Sequence, residues 1–180
     1  MLVFLKLGGS LITEKDIPFS ARIDIIQGLG EEIARAIDQN ANLKLLIGHG
    51  SGSFGHSAAH HFGTQNGIDS KVGWLGFQKV WSAAHQLNQI VIETFSKIGL
   101  PVLSFPPSAS LISSNQIVKR WVIEPINASL EHNLLPIVFG DVVFDRSLGA
   151  TIFSTEDLFS HLALSFHPDK ILLAGIEAGV

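Results

Sequence analysis

The 180-residue chain contains no cysteine. This absence excludes a disulfide framework, thiolate metal ligands and a cysteine nucleophile, and it fits a reducing compartment. Charged residues are also scarce, at 16%, whereas hydrophobic residues make up 46%. We expect a chain of this length and composition to fold as about one domain with a sizeable core, and not to remain disordered.

The sequence also lacks an excess of basic residues, because 12 Lys and Arg against 16 Asp and Glu give a net charge of −4. No extended basic cluster is present, which argues against a nucleic-acid partner. The apolar N-terminus is interrupted by Lys6 and has no basic region before it, so no signal peptide is predicted. No apolar run reaches the length of a membrane-spanning helix. We therefore expect a cytoplasmic protein with no membrane partner.

Short apolar runs alternate with longer amphipathic stretches along the chain. This β-α-β alternation predicts an α/β fold, with a mainly parallel sheet that helices cover on both faces. Strands are predicted at residues 3–7, 43–47, 102–103, 117–121, 135–139 and 170–173, and a hairpin at 142–153. Helices are predicted at 20–40, 57–61, 74–97, 126–133 and 154–166, and a loop that could act as a lid at 62–71.

A glycine-rich stretch at residues 49–56, His-Gly-Ser-Gly-Ser-Phe-Gly-His, follows the second predicted strand. Glycine allows the backbone to approach a ligand closely and to direct successive N–H groups into one concavity. Such a concavity at the start of a helix is a natural anion site. We interpret the stretch as a phosphate-binding loop with His56 at its far end. Considered alone, it is equally consistent with a tight strand-to-helix turn that binds no ligand.

A second glycine-rich turn, Gly8-Gly9-Ser10, follows the first predicted strand, which contains Lys6. A lysine in an apolar strand is unfavourable unless its ammonium reaches an anion or open water. The alternative is that Lys6 extends its ammonium to solvent along the protein surface. Two such turns after two apolar strands favour phosphate binding over this alternative. Lys15 is a second candidate cation, although a solvated side chain is the simpler interpretation.

Other candidates lie at the ends of later elements. Gly140 and Asp141 follow a strongly apolar strand, at the edge where open α/β sheets bind ligands. Ser154 and Asp157 form a capping-box pattern with Glu156 between them, and these acids could do no more than stabilise a helix N-terminus.

Aromatic and histidine side chains supply further candidates. Phe77 and Trp81 begin the long predicted helix, where they line either the core or an apolar ligand pocket. His56, His60 and His61 have no acid or cysteine nearby to complete a zinc site, so no metal site is predicted.

These stretches together resemble the amino acid kinase superfamily. Residues 5–10, with Ile12 and Thr13, are similar to its opening motif, and residues 49–56 look like the second-loop motif of its isopentenyl phosphate kinase branch. Residues 140–143 and 154–157 resemble later motifs of that branch. The histidine after Ser-Phe-Gly is the specific signal: fosfomycin kinases share it, whereas kinases that act on carboxylates do not usually carry it.

The resemblance implies a three-layer αβα sandwich of the carbamate kinase type. It implies that residues 1–180 form a single domain made of the acceptor-binding half and the start of the nucleotide-binding half, with the remainder of that half missing. It also implies ATP-dependent phosphorylation of isopentenyl phosphate to isopentenyl diphosphate, with Mg²⁺ carried mainly by the nucleotide and a homodimer as the assembly. A phosphate monoester is largely a dianion at neutral pH, so such a reaction needs alignment and charge neutralisation but no general base.

The resemblance also implies roles for individual residues. His56 would hydrogen-bond the acceptor phosphate, Lys6 would contact the transferred phosphoryl group, and Glu156 would orient Lys6. Contacts to the phosphates of ATP would come from Lys6, Gly8, Gly9, Ser10 and Ser51. Contacts to the prenyl phosphate would come from Gly50, Ser51, Gly55, His56, Gly140, Lys15, Phe77 and Trp81.

The chain departs from the family pattern at two positions. Glu156 stands where many archaeal relatives have aspartate, and Ser51 where many have glycine or alanine. Two alternatives stay open. One is a kinase of the same superfamily that acts on fosfomycin or an amino-acid-like acid, and the other is a non-catalytic ligand-binding or dimerising fragment.

Overall fold

The computed structural model describes residues 1–55, 68 and 71–176. The strands, in chain order, are β1 (Leu2–Leu7), β2 (Lys44–His49), β3 (Val102–Ser104), β4 (Leu111–Ser114), β5 (Ile117–Trp121), β6 (Leu135–Phe139), β7 (Asp141–Asp145), β8 (Gly149–Phe153) and β9 (Lys170–Ala174). The helices are α1 (Gly9–Ile12), α2 (Ile23–Gln39), α3 (Lys71–Lys97), α4 (Pro107–Ser110), α5 (Glu124–Glu131) and α6 (Thr155–Phe166). Residues 52–55 are also helical.

Five strands form a fully parallel sheet in the order β3-β6-β2-β1-β9. This sheet confirms the predicted α/β class. Because the strands are parallel, their carboxyl ends meet at one edge, where ligands bind in open α/β sheets. The residues that follow three adjacent strands there are Gly8, Gly50 and Gly140.

Helices cover both faces of this sheet. On β1, Val3 and Leu7 face α2 and α3, whereas Phe4 faces α5 and α6, because successive side chains of a strand point to opposite faces. Burial on both faces explains why β2 and β6 read as nearly continuous apolar runs, whereas the edge strand β9 is largely exposed. Full burial of a side chain such as Phe4 contributes roughly 1.5–3 kcal/mol to the free energy of folding.

A second sheet, in the order β5-β4-β7-β8, was not predicted. Its β7–β8 hairpin and the edge strand β5 agree with the sequence predictions. The strand β4 was missed because Leu-Ile-Ser-Ser is short and half polar. It is held in place by an antiparallel neighbour, β5, and a parallel one, β7, which lie beyond it in the sequence.

Several predicted boundaries differ from those observed. α2 begins at Ile23 and α3 at Lys71, and β2 continues to His49 instead of ending at residue 47. The Ser154–Asp157 capping box is present as predicted. The predicted helix at 57–61 lies outside the described residues, as does most of the loop predicted at 62–71. Among the helices that the structure describes, none combines the length and hydrophobicity needed to cross a membrane.

Candidate functional site

Two glycine loops contact each other at the carboxyl edge of the parallel sheet. We call residues 8–10, which follow β1, the first loop, and residues 50–55, which follow β2, the second loop. A Cβ atom on Gly9 would lie 2.5 Å from the Gly52 nitrogen, and one on Gly50 would lie 2.9 Å from the Gly9 nitrogen. The backbone of the partner loop therefore requires glycine at Gly9 and Gly50. This packing requires glycine at both positions whether or not a ligand also approaches the loops closely, which stays a prediction.

The side chain of Thr13 forms a hydrogen bond to each of the two loops. Its buried hydroxyl donates to Gly9 O at 2.7 Å and accepts from Ser53 N at 3.0 Å. Gly52 lies against the same hydroxyl with a φ of +48°, so a side chain there would be strained and would also collide with Thr13. The sequence alone does not indicate this role of Thr13. The one available indication is that Thr13 lies four residues after Gly9, a spacing that allows its hydroxyl to reach Gly9 O.

Lys6 and Glu156 form an ion pair beside these loops. Lys6 lies two residues after Phe4 on β1 and therefore points to the face of the sheet that α6 covers. Glu156 is in the first turn of that helix. Partial burial opposes ionisation of Glu156, but the hydrogen bond and charge of Lys6 outweigh it and hold the pKa of the carboxyl below its usual value. The geometry brings together the two residues that the resemblance paired.

The end of β2 is linked to β6 and α6 through the main chain of His49. Its carbonyl accepts from Gly140 N at 3.1 Å and from Thr155 Oγ1 at 2.6 Å. Gly140 therefore borders the second loop, as expected for a residue at this edge of the sheet. A Cβ atom on Gly140 would meet only ordinary contacts, 3.6 Å or more away, so packing alone does not demand glycine there.

Asp141 is buried and already engaged. Its carboxylate accepts from Ser108 N at 3.1 Å and Val142 N at 2.9 Å, and His85 Nε2 lies 3.5 Å from it. The same His85 nitrogen is 3.4 Å from Ser108 Oγ. A serine–histidine–aspartate relay needs both ring nitrogens, one for each partner. This cluster therefore does not have the geometry of a nucleophilic triad.

An aromatic cluster borders the start of α3. The Phe77 ring lies 4.9 Å from Phe144 and 5.7 Å from Trp74, and Trp74 and Phe144 are 6.0 Å apart. Trp74 and Phe144 are 41% and 46% exposed, so their rings line a surface and not the core. Phe77 was a candidate from the sequence, whereas Phe144 was not, because only the fold brings β7 beside α3.

Trp81 lies one turn further along α3. Its indole N–H donates to Ser108 Oγ at 3.2 Å, and its ring packs against His85 with centroids 4.1 Å apart. The side chain is 38% exposed. Trp81 therefore contacts α4, whereas Phe77 contacts β7.

The remaining predicted residues fall in different places. His56, like His60 and His61, lies outside the described residues. Lys15 is exposed in the segment between α1 and α2. Gly55 is buried, and a Cβ atom there would collide with the Ser51 side chain. The roles assigned to all of these residues stay predictions.

A cavity of about 300 Å³ lies at the opposite edge of the parallel sheet. Its lining includes Ala34, Leu43, Ile98, Leu130 and Leu135, from the amino ends of β2 and β6 and the adjoining helices. This cavity is separated from the glycine loops by the length of the strands. Within residues 1–55, 68 and 71–176, no group of three or more His, Asp or Glu side chains is arranged to hold a metal ion.

The sequence of the chain matches the model of a known protein family. The amino acid kinase family model matches residues 1–180, and the chain belongs to that family. Its similarity is to isopentenyl phosphate kinases in particular, which confirms the resemblance found in the sequence.

Two curated relatives and one solved structure show the extent of this similarity. The chain is 32% identical to isopentenyl phosphate kinase of Methanocaldococcus jannaschii, covering 100% of the chain and 71% of the relative. It is 33% identical to isopentenyl phosphate kinase of Methanothermobacter thermautotrophicus, covering 99% and 68%. A solved isopentenyl phosphate kinase structure superimposes with a TM-score of 0.91 at 31% identity, covering 100% of this chain and 74% of that one.

Proposed function

We propose that the protein transfers a phosphoryl group from ATP to isopentenyl phosphate, giving isopentenyl diphosphate and ADP. The observation that carries this proposal is that Lys6 and two glycine loops, which Thr13 links by hydrogen bonds, lie together at the carboxyl edge of the sheet. The similarity to isopentenyl phosphate kinases over the whole chain supports the choice of reaction.

The chemistry of the acceptor fits the groups at this edge. A phosphate monoester has a second pKa of about 6 and is already a nucleophilic dianion at neutral pH. The protein then has to align two phosphates and neutralise their charge, which backbone N–H groups and a lysine can do. Because the acceptor is already deprotonated, no base is required, and Glu156 and Asp141 are engaged with Lys6 and with two backbone N–H groups, respectively.

In this proposal Lys6 holds the transferred phosphoryl group, and the ion pair with Glu156 directs its ammonium. The first loop binds the phosphates of ATP, and the second loop supplies N–H donors to the acceptor phosphate. His56 donates to the same phosphate from the end of the second loop. A charge-assisted hydrogen bond of this kind is worth about twice a neutral one.

Mg²⁺ is expected to accompany ATP, but the described residues do not form a protein site for it. Octahedral Mg²⁺ prefers free carboxylate oxygens. The two carboxylates near the loops are both engaged, Glu156 with Lys6 and Asp141 with backbone N–H groups. We infer that the ion is held by the nucleotide phosphates, and we assign it no protein ligand.

The prenyl tail is proposed to lie against the aromatic cluster of Trp74, Phe77 and Phe144. Rings at this position suit a short apolar chain, and the cluster contains no cation to pair with the carboxylate of an amino acid. Lys79, on the same part of α3, is exposed. We also expect the active protein to be a homodimer in the cytoplasm.

The test is a comparison of acceptors with the full-length protein. Isopentenyl phosphate, fosfomycin, acetylglutamate and glutamate are offered with ATP, and kcat/KM is measured for each. The proposal predicts the highest value for isopentenyl phosphate. A higher value for fosfomycin or an amino acid would make the prenyl assignment wrong and leave only the kinase class. No transfer to any acceptor would favour the non-catalytic alternative.

A further inference from the structure

A buried polar chain connects the core to the second glycine loop. His49, the last residue of β2, is fully buried, and its Nε2 lies 3.2 Å from Asn88 Oδ1 in the middle of α3. Asn88 is also buried, and its amide nitrogen lies 2.7 Å from Ser104 Oγ at the end of β3. Apolar side chains could fill the same space without the cost of desolvating polar groups. The hydrogen bonds of this polar chain fix the orientation of the His49 ring, which apolar side chains would not do.

The other ring nitrogen of His49 faces the loop. Nδ1 lies 3.1 Å from Gly50 O. In a planar trans peptide the C=O of one residue and the N–H of the next point in opposite directions. A Gly50 carbonyl held against the buried ring therefore turns the Ser51 N–H away from the core, toward the ligand side of the loop. Among the described residues, none accepts a hydrogen bond from that N–H.

The His49 ring itself has little freedom. It stacks on Phe139 with centroids 5.3 Å apart and planes 7° from parallel. Its main-chain carbonyl is fixed by Gly140 and Thr155. A ring that is stacked on one face and attached to a fixed main chain can fix the orientation of the peptide that it contacts.

Protonation decides which groups donate. Complete burial lowers the pKa of His49, although the hydrogen bonds to Gly50 and Asn88 oppose this, so the ring is neutral near pH 7 and carries one N–H. Rotating the Asn88 amide by 180° exchanges its oxygen and nitrogen and preserves both of its contacts. Ser104 then donates to Asn88, Asn88 donates to Nε2, and His49 Nδ1–H donates to Gly50 O. In this arrangement a neutral ring satisfies every partner.

We propose that His49 is a positioning residue: protonated on Nδ1, it holds the Gly50 carbonyl so that the Ser51 N–H faces the phosphate of a bound substrate. The inference rests on the proposed function in that it takes the second loop to bind phosphate. It assigns His49 no contact with substrate.

Two amide substitutions separate this role from a structural one. The amide nitrogen of His49→Asn falls near the position of Nδ1 and keeps the donor to Gly50. That of His49→Gln falls near Nε2, so it keeps the contact with Asn88 and loses the donor. The control is His161→Gln, since His161 stacks on Trp121, away from both loops.

Binding of inorganic phosphate to the full-length protein is measured by calorimetry, together with KM for isopentenyl phosphate and the melting temperature. We expect His49→Gln to raise Kd and KM about tenfold, the effect of losing one oriented hydrogen bond to a charged group. His49→Asn should stay within about threefold of wild type by the same reasoning, and His161→Gln should change neither. Equal effects of the two His49 variants, or a lower melting temperature with unchanged KM, would overturn the proposal.

A second test uses only the wild-type protein and so does not require that the variants fold. Long-range ¹H–¹⁵N NMR reports which ring nitrogen carries the proton, and the proposal requires Nδ1. A bare Nδ1 at pH 7 would contradict it. One outcome separates this inference from the proposed function. If His49→Gln weakens the binding of inorganic phosphate as predicted, but the wild type does not phosphorylate isopentenyl phosphate, the proposed function fails and this inference stands.

Discussion

Replacement of Thr13 by valine tests whether one buried hydroxyl holds the two glycine loops together. Valine keeps the shape of the side chain and removes the group that donates to Gly9 O and accepts from Ser53 N. Leaving a buried backbone group without its partner costs roughly 1–3 kcal/mol. Gly9 O still accepts from Thr13 N at 3.0 Å, so the loss falls mainly on the hydrogen bond from Ser53 N, and we expect Thr13→Val to lower the free energy of unfolding by about 1–3 kcal/mol.

The assay is urea unfolding, with kcat/KM for isopentenyl phosphate measured on the folded variant. Thr13→Ser keeps the hydroxyl and should lose only about 0.8 kcal/mol, for one buried methyl group. Thr94→Val is the matched control, because Thr94 Oγ1 donates only to Ile90 O within α3. A Thr13→Val protein within about 0.5 kcal/mol of wild type, which is the scale of a neutral surface change, would refute the reasoning.

Three further predictions concern charge and packing. Burial raises the pKa of Asp145, but hydrogen bonds from Gln116 N, Leu148 N, Ser113 Oγ and Ser147 N outweigh it and hold that pKa far below its usual value. The resulting stability is present above about pH 4 and is lost as the pH falls below it, so Asp145→Asn should destabilise by about 3 kcal/mol and flatten acid unfolding curves. Lys6→Gln should lower kcat roughly 10²-fold with the fold intact, as for loss of one transition-state donor, which steady-state kinetics and circular dichroism would check. Phe77→Ala should raise the kcat/KM ratio of geranyl over isopentenyl phosphate. Leu87→Ala, in the closed core, should cost about 2–5 kcal/mol of stability without raising it.

The contrast between Phe77 and Leu87 shows a limit of helical periodicity. Both residues repeat at helical spacing on α3, with Trp81 between them. In the structure Leu87 is fully buried in the core cluster, whereas the Phe77 ring meets the exposed Phe144. Periodicity identifies the inward face of a helix, but it does not show where along that face the core ends and a pocket begins.

The parts of the site that the sequence predicted are those encoded locally. Each of two short apolar strands is followed at once by glycines. Because the carboxyl ends of parallel strands meet at one edge of the sheet, Lys6 and both loops are expected at that edge. The capping box of α6 is also a local pattern, and it brought Glu156 to that edge.

The parts that the sequence did not predict depend on contacts between distant segments. Nothing in the local sequence distinguishes the hydroxyl of Thr13, because its role depends on a hydrogen bond from Ser53 N, 40 residues further along the chain. In the sequence, His49 has the pattern of the first residue of a loop. In the structure it is the last residue of β2 and lies beside Asn88, which is far from it in the sequence. The strand β4 becomes a strand only through its neighbours β5 and β7.

The most direct test of the account is a structure of the full-length protein with isopentenyl phosphate bound. We expect the phosphate to lie within hydrogen-bond distance of the Ser51 N–H and the His56 side chain, with the prenyl chain against Phe77 and Phe144. A phosphate bound elsewhere, for example in the cavity at the opposite edge of the sheet, would contradict the central claim that the two glycine loops form the phosphate site.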